Sequence, residues 1–251
     1  GVQTCALPIY DVQYYRDLYN LERVEALKGP NAMIFGRGGG GGVVNRVTKE
    51  AGWMPLREFT FNGGSFNSKR VATDWDYGWR DKAAFRLNGM YEKSGTFRDF
   101  VDLERYGINP TATFSPGRRT KIVTSFEYFR DNRVADRGLP SYQGRPADVP
   151  IETFYGNPDD SHVRASVRLG SANLEQQLGR WTLRNHTMIG DYDRGYQNYV
   201  AGAVTPDKSQ DSISAYNNAT QRTNVFNQSD LTGTIRTGWL EHRLLAGMEL
   251  G

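Results

Sequence analysis

The sequence predicts an antiparallel, mostly β chain, and three observations predict it. From Leu56 onward, segments of about ten residues alternate in polarity with a period of two, as side chains do along a strand. Turn residues separate these segments, and the connections alternate between short and long. The composition is rich in turn and strand formers, with 28 Gly among 251 residues and 12% aromatics.

The elements follow in chain order. Leu21 to Lys28 (LERVEALK) fits a short strand and a helix equally, because periodicity alone does not separate them. Gly29-Pro30 then punctuates, with Pro30 suited to open a short helix through Phe35 and Gly36 suited to end it. Gly36 to Gly42 is all glycine except Arg37, so neighbours must hold this run or it moves. Val43 to Val47 reads as a second strand, and Thr48 to Pro55 as a linker.

Beyond the linker, Phe85, Leu87, Gly89 and Tyr91 share a face opposite Arg86, Asn88 and Met90. Tyr106, Ile108, Pro110, Ala112 and Phe114 oppose Gly107, Asn109, Thr111 and Thr113. Thr124, Phe126 and Tyr128 oppose Ser125 and Glu127; Val163, Ala165, Val167 and Leu169 oppose Arg164, Ser166 and Arg168. The polar side is therefore expected to be wet, facing solvent or an aqueous lumen.

Gly78 to Lys82, Ser115 to Arg119, Asn173 to Arg180 and Thr237 to Glu241 are short connections on one edge. Ser94 to Glu104, Asp131 to Ser161 and Asp193 to Asn224 are long ones on the other. Ten-residue strands with short turns at one end and long loops at the other suit an outer-membrane β-barrel. Trp75, Tyr77, Trp79, Tyr128, Phe129, Trp181 and Trp239 near strand ends suit an interfacial girdle, where amphipathic rings sit at headgroup level. The alternative is a sandwich in which these rings are ordinary core. In the barrel reading, Phe85, Leu87, Tyr106, Ile108, Phe126, Val167 and Leu169 belong to a lipid-facing band.

Charge and composition exclude other classes. The net charge of +3 supplies no cationic excess for nucleic-acid binding. No run approaches the ~20 apolar residues of a spanning helix. Gly1 to Ile9 (GVQTCALPI) resembles a translated sequencing-library adapter joined to a truncated frame, and is set aside from the fold. The single cysteine, Cys5, lies inside it, so no disulfide or thiolate metal site is expected elsewhere. The absence of an initiating Met, and a stop inside the alternation Leu244, Ala246, Met248, Leu250, lead us to expect a piece of a longer protein.

Enzymatic signatures are weak. His162, His186 and His242 lack metal-ligand spacing. Asp191 with Asp193, and Asp159-Asp160, are paired carboxylates of the kind that is usually solvated rather than catalytic. The glycine run lacks the Gly-Lys-Ser/Thr ending of a phosphate-binding loop.

Asn20 to Lys49, NLERVEALKGPNAMIFGRGGGGGVVNRVTK, resembles the closing part of the plug domain of TonB-dependent outer-membrane receptors. Glu22, Arg23, Val24, Glu25, Lys28, Gly29, Pro30, Gly36, Gly41, Gly42, Val43, Val44, Asn45, Thr48 and Lys49 match that pattern. GLPSYQGRPADVP, FYGNPDDS and TNVFNQSDLTGTIRTGWLEHRLLAGMELG look like the ferric-siderophore branch, with a lean toward catecholate receptors. The likeness covers nearly all of Tyr10 to Gly251.

The resemblance implies the end of a plug over residues 10–50. It implies about nine antiparallel strands of a truncated transmembrane β-barrel over residues 51–251. The coupling box and more than half of a 22-stranded barrel would then lie outside the chain, and the open sheet is not expected to work alone as a transporter. Two departures stand out: Phe35 replaces the usual Tyr at the plug apex, and Gly38 to Gly40 replace the more common Ser or Pro.

The implied function is uptake of ferric siderophores across the outer membrane of a Gram-negative bacterium. It implies a monomer that contacts outer-membrane lipid, an inner-membrane TonB partner, no nucleic acid and no enzymatic activity. The iron stays in the chelator, so no protein metal ligand or cofactor is expected. Aromatic and Arg side chains are the fitting contacts for an aromatic, anionic chelate shell. The candidates are Phe35 and Arg37 at the apex and Arg137, Tyr142 and Arg145 in the long loop, where Gly138, Pro140 and Gly144 bend the chain. Tyr196 and Tyr199, with Tyr192, add stacking surface, and Gly38, Gly39 and Gly40 form the candidate hinge. The rival reading is a soluble β-rich carbohydrate-binding or hydrolytic domain; a passive porin is disfavoured because it has no plug.

Overall fold

The computed structural model describes residues 16–28 and 42–251. Residues 1–9, the short helix expected from Pro30 to Phe35, and the candidate residues Phe35, Arg37, Gly38, Gly39 and Gly40 lie outside the described residues. The described chain contains strands and no helix.

β1 (Leu21–Lys28) and β2 (Gly42–Thr48) form a two-stranded antiparallel sheet in which Leu21 faces Thr48 and Lys28 faces Gly42. The segment that periodicity left open is thus a strand, because β2 supplies the pairing partner. Glu25 accepts hydrogen bonds from Asn45 Nδ2 at 2.8 Å and Arg23 Nε at 2.6 Å.

The main sheet is built from β3 (Leu56–Gly64), β4 (Ser68–Trp79), β5 (Ala83–Gly95), β6 (Asp102–Gly117) and β7 (Thr120–Arg133). It continues through β10 (His162–Leu178), β11 (Trp181–Val204), β12 (Asp211–Thr237) and β13 (Leu240–Leu250). These nine strands are hydrogen-bonded in sequence order, every pair antiparallel. In the loop between β7 and β10, β8 (Ser141–Tyr142) and β9 (Arg145–Pro146) make a small hairpin, and Ser141 pairs with Ala203 of β11. The expected nine-strand meander is present. Gly179 and Gly238 open two of the short turns at φ of 65° and 61°, a region glycine enters without steric cost.

One expected loop is not a loop. Asp193 to Asn224 is the projecting half of a β-hairpin, since β11 and β12 stay in register from Trp181↔Gly233 to Ala201↔Ile213 and leave only residues 205–210 as the tip. Its polar composition is what makes it resemble a loop in the sequence.

The two faces of the sheet differ. On one, residues 16–20 and 49–53 lie against the wall. Tyr19 packs with Met90, Phe129 and Val167, and Leu169 and Tyr192 sit beside this cluster. A Cβ at Gly107 would meet Tyr19 Oη at 2.7 Å, and one at Gly78 would meet Trp53 Cα at 2.8 Å, so both glycines permit close approach of this segment. We call this the plug-side face. On the outer face Phe85, Leu87, Tyr91, Ile108 and Phe126 are exposed, Phe85 by 49% and Phe126 by 46%.

Three expectations about the faces are corrected. Val167 and Leu169 do not belong to the outer band: Val167 is 3% exposed beside Tyr19, while Arg164 and Arg168 of the same strand point outward. Phe129 is likewise buried under Tyr19 rather than in a girdle. The polar face of β5 and β6 is not wet, for Asn88, Asn109, Thr111 and Thr113 are buried. Thr113 Oγ1 donates to the Ala51 carbonyl at 2.7 Å. The plug-side segment covers these positions, and a sequence read one strand at a time does not reveal that cover.

Candidate ligand-binding site

Two ion networks fix the plug-side segment to the wall. Arg70 donates from Nη1 and Nη2 to both carboxylate oxygens of Asp17 at 2.8 Å each, and from Nη1 to Glu92 at 2.6 Å. Arg105 reaches Glu92 at 2.8 Å and Asp17 at 3.5 Å. Burial works against ionisation of Asp17, but the fork and charge of Arg70, with Arg105 behind it, outweigh it and hold the carboxyl below its usual range. The second network joins Lys49 to Asp74 at 2.8 Å and Arg86 to Asp74 at 2.7 Å, while Arg86 also donates to the Glu50 carbonyl at 3.0 Å. Asp76 accepts from the Gly52 amide. None of these wall residues stood out in the sequence; the only signal was charge alternating with hydroxyl and amide on β4 and β5.

Toward the long-loop edge the plug-side face continues along β11 and β12. Val167 faces Tyr192, so Tyr192, Arg194, Tyr196 and Asn198, each two residues on, share that face in a strand of unbroken register. Across from them stand Arg222, Thr220, Asn218 and Tyr216. Arg137 enters from the long loop, donates from Nε to Asn198 Oδ1 at 2.9 Å and lies 5.7 Å from the Tyr216 ring centroid. Tyr216 and Tyr196 meet edge to face at 5.7 Å, and Arg194 lies 6.0 Å from the Tyr196 ring. The result is an array of guanidinium groups and rings with amides between them.

The structure therefore brings Arg137 and Tyr196 together and adds Arg194, Tyr216 and Asn198, which sequence reading missed. The signal that could have found them is the even-odd alternation continued past residue 193. Tyr199 is on the opposite face of β11, where its hydroxyl donates to Asp160 at 2.6 Å and Gln197 joins the same carboxylate. Tyr142 stands apart on β8, 5.1 Å from Lys208 of the 205–210 tip, and Arg145 is exposed on β9. In that tip, hydrogen bonds from Thr205 and Ser209 hold Asp207 ionised, with a pKa of about 2. The long loop is tied down by Arg98, which donates to Asp136 at 2.7 Å and to the Thr153 carbonyl at 2.9 Å.

A cavity of about 480 Å³ lies at the opposite, short-turn edge, lined by Arg80, Lys82, Arg118, Arg119 and Lys121 with Asp81 and Glu175. Its mixed charges and open turns bring no ring system together, so we place the ligand site at the long-loop edge instead. Among the described residues no group of three or more His, Cys, Asp or Glu could hold a metal ion.

The metal-pseudopaline receptor CntO of Pseudomonas aeruginosa is 29% identical over 238 residues, spanning 93% of this chain and 33% of that protein. The probable TonB-dependent siderophore receptor PiuA of Acinetobacter baumannii is 29% identical over 252 residues, again over 93% of this chain and 33% of the relative. The crystal structure of the ferric-catecholate import receptor Fiu from Escherichia coli K12 in its open form superposes with a TM-score of 0.82 at 25% identity. That likeness covers 93% of this chain and 39% of that one. The chain is a relative of the TonB-dependent siderophore receptors. It spans about a third of the length of the curated relatives it matches. No family model matches the chain. These siderophore-receptor relatives are receptors and not enzymes, and the sheet with its plug-side segment corresponds to part of a plugged receptor barrel.

Proposed function

We propose that this chain belongs to an outer-membrane receptor that takes up ferric siderophores by energy-coupled opening of a plugged β-barrel. In this reading residues 10–50 close the plug and residues 51–251 begin the barrel wall of a monomer. The observation that carries it is the division of the sheet. One face presents exposed apolar side chains, while the other holds the plug-side segment at one level and the array of Arg137, Arg194, Tyr196 and Tyr216 at another.

A chelate whose shell is anionic and aromatic fits that array, because guanidinium groups supply charge-assisted hydrogen bonds and rings supply stacking. Among the relatives, PiuA is a probable siderophore receptor and Fiu a catecholate siderophore receptor, and the second supports an aromatic, anionic ligand. Docking there, together with contacts from Phe35 and Arg37 at the apex and from Tyr142 and Arg145 in the long loop, shifts the plug toward a released state. An inner-membrane TonB protein then draws the plug aside, with Gly38, Gly39 and Gly40 as the hinge.

The test uses the protein expressed from its complete reading frame. Intrinsic fluorescence is titrated with a panel of ferric chelates, catecholate and hydroxamate, in detergent. Saturable quenching by one class supports the reading, and none by any chelate overturns it. Uptake of the iron chelate by a Gly39→Pro, Gly40→Pro double variant tests the hinge separately: undiminished uptake removes it. A monodisperse protein without detergent would favour the soluble rival.

A further inference from the structure

At the short-turn edge of the plug-side face, the cavity of about 480 Å³ gathers cations that ligand capture at the other edge leaves unused. Arg80 and Lys82 come from the turn between β4 and β5, Arg118 and Arg119 from the turn between β6 and β7, and Lys121 from the start of β7. Backbone bonds tie these turns to one another and to β10. The Ser115 amide donates to the Lys82 carbonyl at 2.7 Å, and the Gln177 amide donates to the Arg119 carbonyl at 2.8 Å. The cations therefore share one frame instead of riding on separate loops.

The acids nearby are engaged or outnumbered. Glu175 accepts from Arg184 Nε at 3.0 Å, Glu50 of the plug-side segment meets Lys121 at 3.0 Å, and Asp81 stands among the turn cations. Among the described residues no carboxylate forms an ion pair with Arg80, Lys82, Arg118 or Arg119. The Lys121–Glu50 pair is exposed on both sides, so it is worth little and exchanges readily for another anion. Midway along the face the balance is different, because Arg70 and Arg105 are matched by Asp17 and Glu92, while Arg86 and Lys49 share Asp74. Guanidinium groups thus gather at the long-loop end and net positive charge at the short-turn end, with a matched stretch between them.

We propose that this cavity is a second, weaker site for the anionic ferric chelate, occupied at the point where the chelate leaves the wall. The proposal rests on the receptor reading above, in which short turns face the periplasm. The volume suits a small-molecule pocket, and clustered fixed cations along an aqueous path raise the local concentration of an anion. No ring lines the cavity, so it selects net charge and not the aromatic shell. Without stacking, and with its cations exposed, it holds the chelate less tightly than the array around Arg137 and lets it go.

The protein from its complete reading frame, in detergent with both edges open to solvent, is titrated with a ferric tris-catecholate and with an uncharged ferric trihydroxamate. Intrinsic fluorescence is followed well past saturation of the first site. Trp79 is the local reporter, since Arg80 lies 5.7 Å from its ring centroid. The tris-catecholate is expected to quench in two phases, the weaker one smaller in Trp79→Phe and absent with the trihydroxamate. In the Arg80→Gln, Lys82→Gln, Arg118→Gln, Arg119→Gln variant the weaker midpoint is expected to rise about tenfold, while an unchanged first phase shows that the variant folds. If that variant misfolds, Arg118→Gln with Arg119→Gln reads the same shift at about threefold. In cells, the variant is expected to lose maximal iron uptake rate at an unchanged half-saturating chelate concentration. A single phase, a weaker phase unmoved in the variant, its displacement by equimolar inorganic phosphate at constant ionic strength, or undiminished maximal uptake overturns the second site and leaves the receptor reading intact. Quenching by the uncharged chelate alone does the same. Quenching by neither chelate overturns both readings together.

Discussion

Asp17 and Arg70 are joined through both carboxylate oxygens, each 2.8 Å from a separate guanidinium nitrogen, across the junction between the plug-side segment and the wall. With Asp17 side-chain exposure at 5%, this pair is shielded from solvent where it holds residues 16–20 in place. Asp17→Asn leaves Arg70 to Glu92 alone and removes the fork. We expect local docking to weaken by about 2–3 kcal/mol, as for loss of a charged hydrogen-bonded partner. Amide hydrogen exchange checks it: the Lys49 and Leu21 amides, bonded to Asn20 and Leu18, should exchange faster while those of β6 and β7 do not. Uniform loss of protection would mean that the pair supports the whole fold instead.

The same carboxyl gives a pH dependence with a definite sign. Its folded pKa lies below the ordinary carboxylate value. Its contribution is therefore fully present above the unfolded value near 4 and disappears as pH falls through the lower folded value. Between pH 7 and 5 the latch should hold, below about pH 4 it should begin to weaken, and it should release as pH falls through the lower folded value. Exchange corrected for intrinsic rates should show wild-type protection of residues 16–20 falling over that window, and a shallower fall in Asp17→Asn.

Gly107 makes a second, independent contact with the segment. A methyl group there would lie 2.7 Å from Tyr19 Oη, closer than real Cβ contacts allow, so Gly107→Ala should cost about 1–3 kcal/mol. In a Tyr19→Ala background the same change has room, and the usual gain from replacing a strand glycine should make it neutral or stabilising. A double-mutant cycle by denaturant titration in micelles reads the coupling. No coupling would separate Tyr19 from β6.

Much of the fold was legible because the period of two is a backbone property. The apolar sides of β5, β6 and the middle of β7 were placed correctly on the outer face. β10 fails the same rule for a physical reason. Its apolar side, Ala165 and Val167, meets Tyr19, and its charged side, Arg164 and Arg168, meets the outer environment. Alternation says that two faces differ; it does not say which one another segment will cover. At the candidate site, Arg137 and Tyr196 were legible from residue type. Tyr216, Arg194 and Asn198 needed the β11–β12 register, which depends on pairing between residues as far apart as Trp181 and Gly233. The ion networks at Asp17 and Asp74 were illegible for the same reason.

The face assignment makes an experiment possible. Phe126→Lys puts a charge on the outer band and should cost about 2–4 kcal/mol of bilayer insertion if it lies near the midplane, less toward an interface. Val167→Ala should cost about 1–3 kcal/mol by leaving a gap beside Tyr19, to the same extent in thin and thick bilayers. Arg168→Leu should leave insertion nearly unchanged. Folding titrations into vesicles of two chain lengths compare them, and a thickness-dependent Val167→Ala penalty would return Val167 to the lipid face.

At the ligand site the geometry ranks the residues. Arg137 is held by Asn198 and stacked near Tyr216, so its planar fork is oriented toward the plug-side face. Lysine keeps the charge and loses both the fork and the stacking. Arg137→Lys should therefore weaken ferric-chelate binding about tenfold, the loss expected for one charge-assisted contact with its cation–π component. Tyr216→Ala should weaken it by a similar factor, and the two should be non-additive because they act on one array. Tyr199→Phe should change affinity less than about twofold, since the hydroxyl it removes already serves Asp160 on the other face. Fluorescence quenching with the chelate that binds wild type measures all four proteins. If Tyr199→Phe proves the most damaging, the ligand sits on the opposite face of the β11–β12 extension, and the array around Arg137 serves only to pack the long loop.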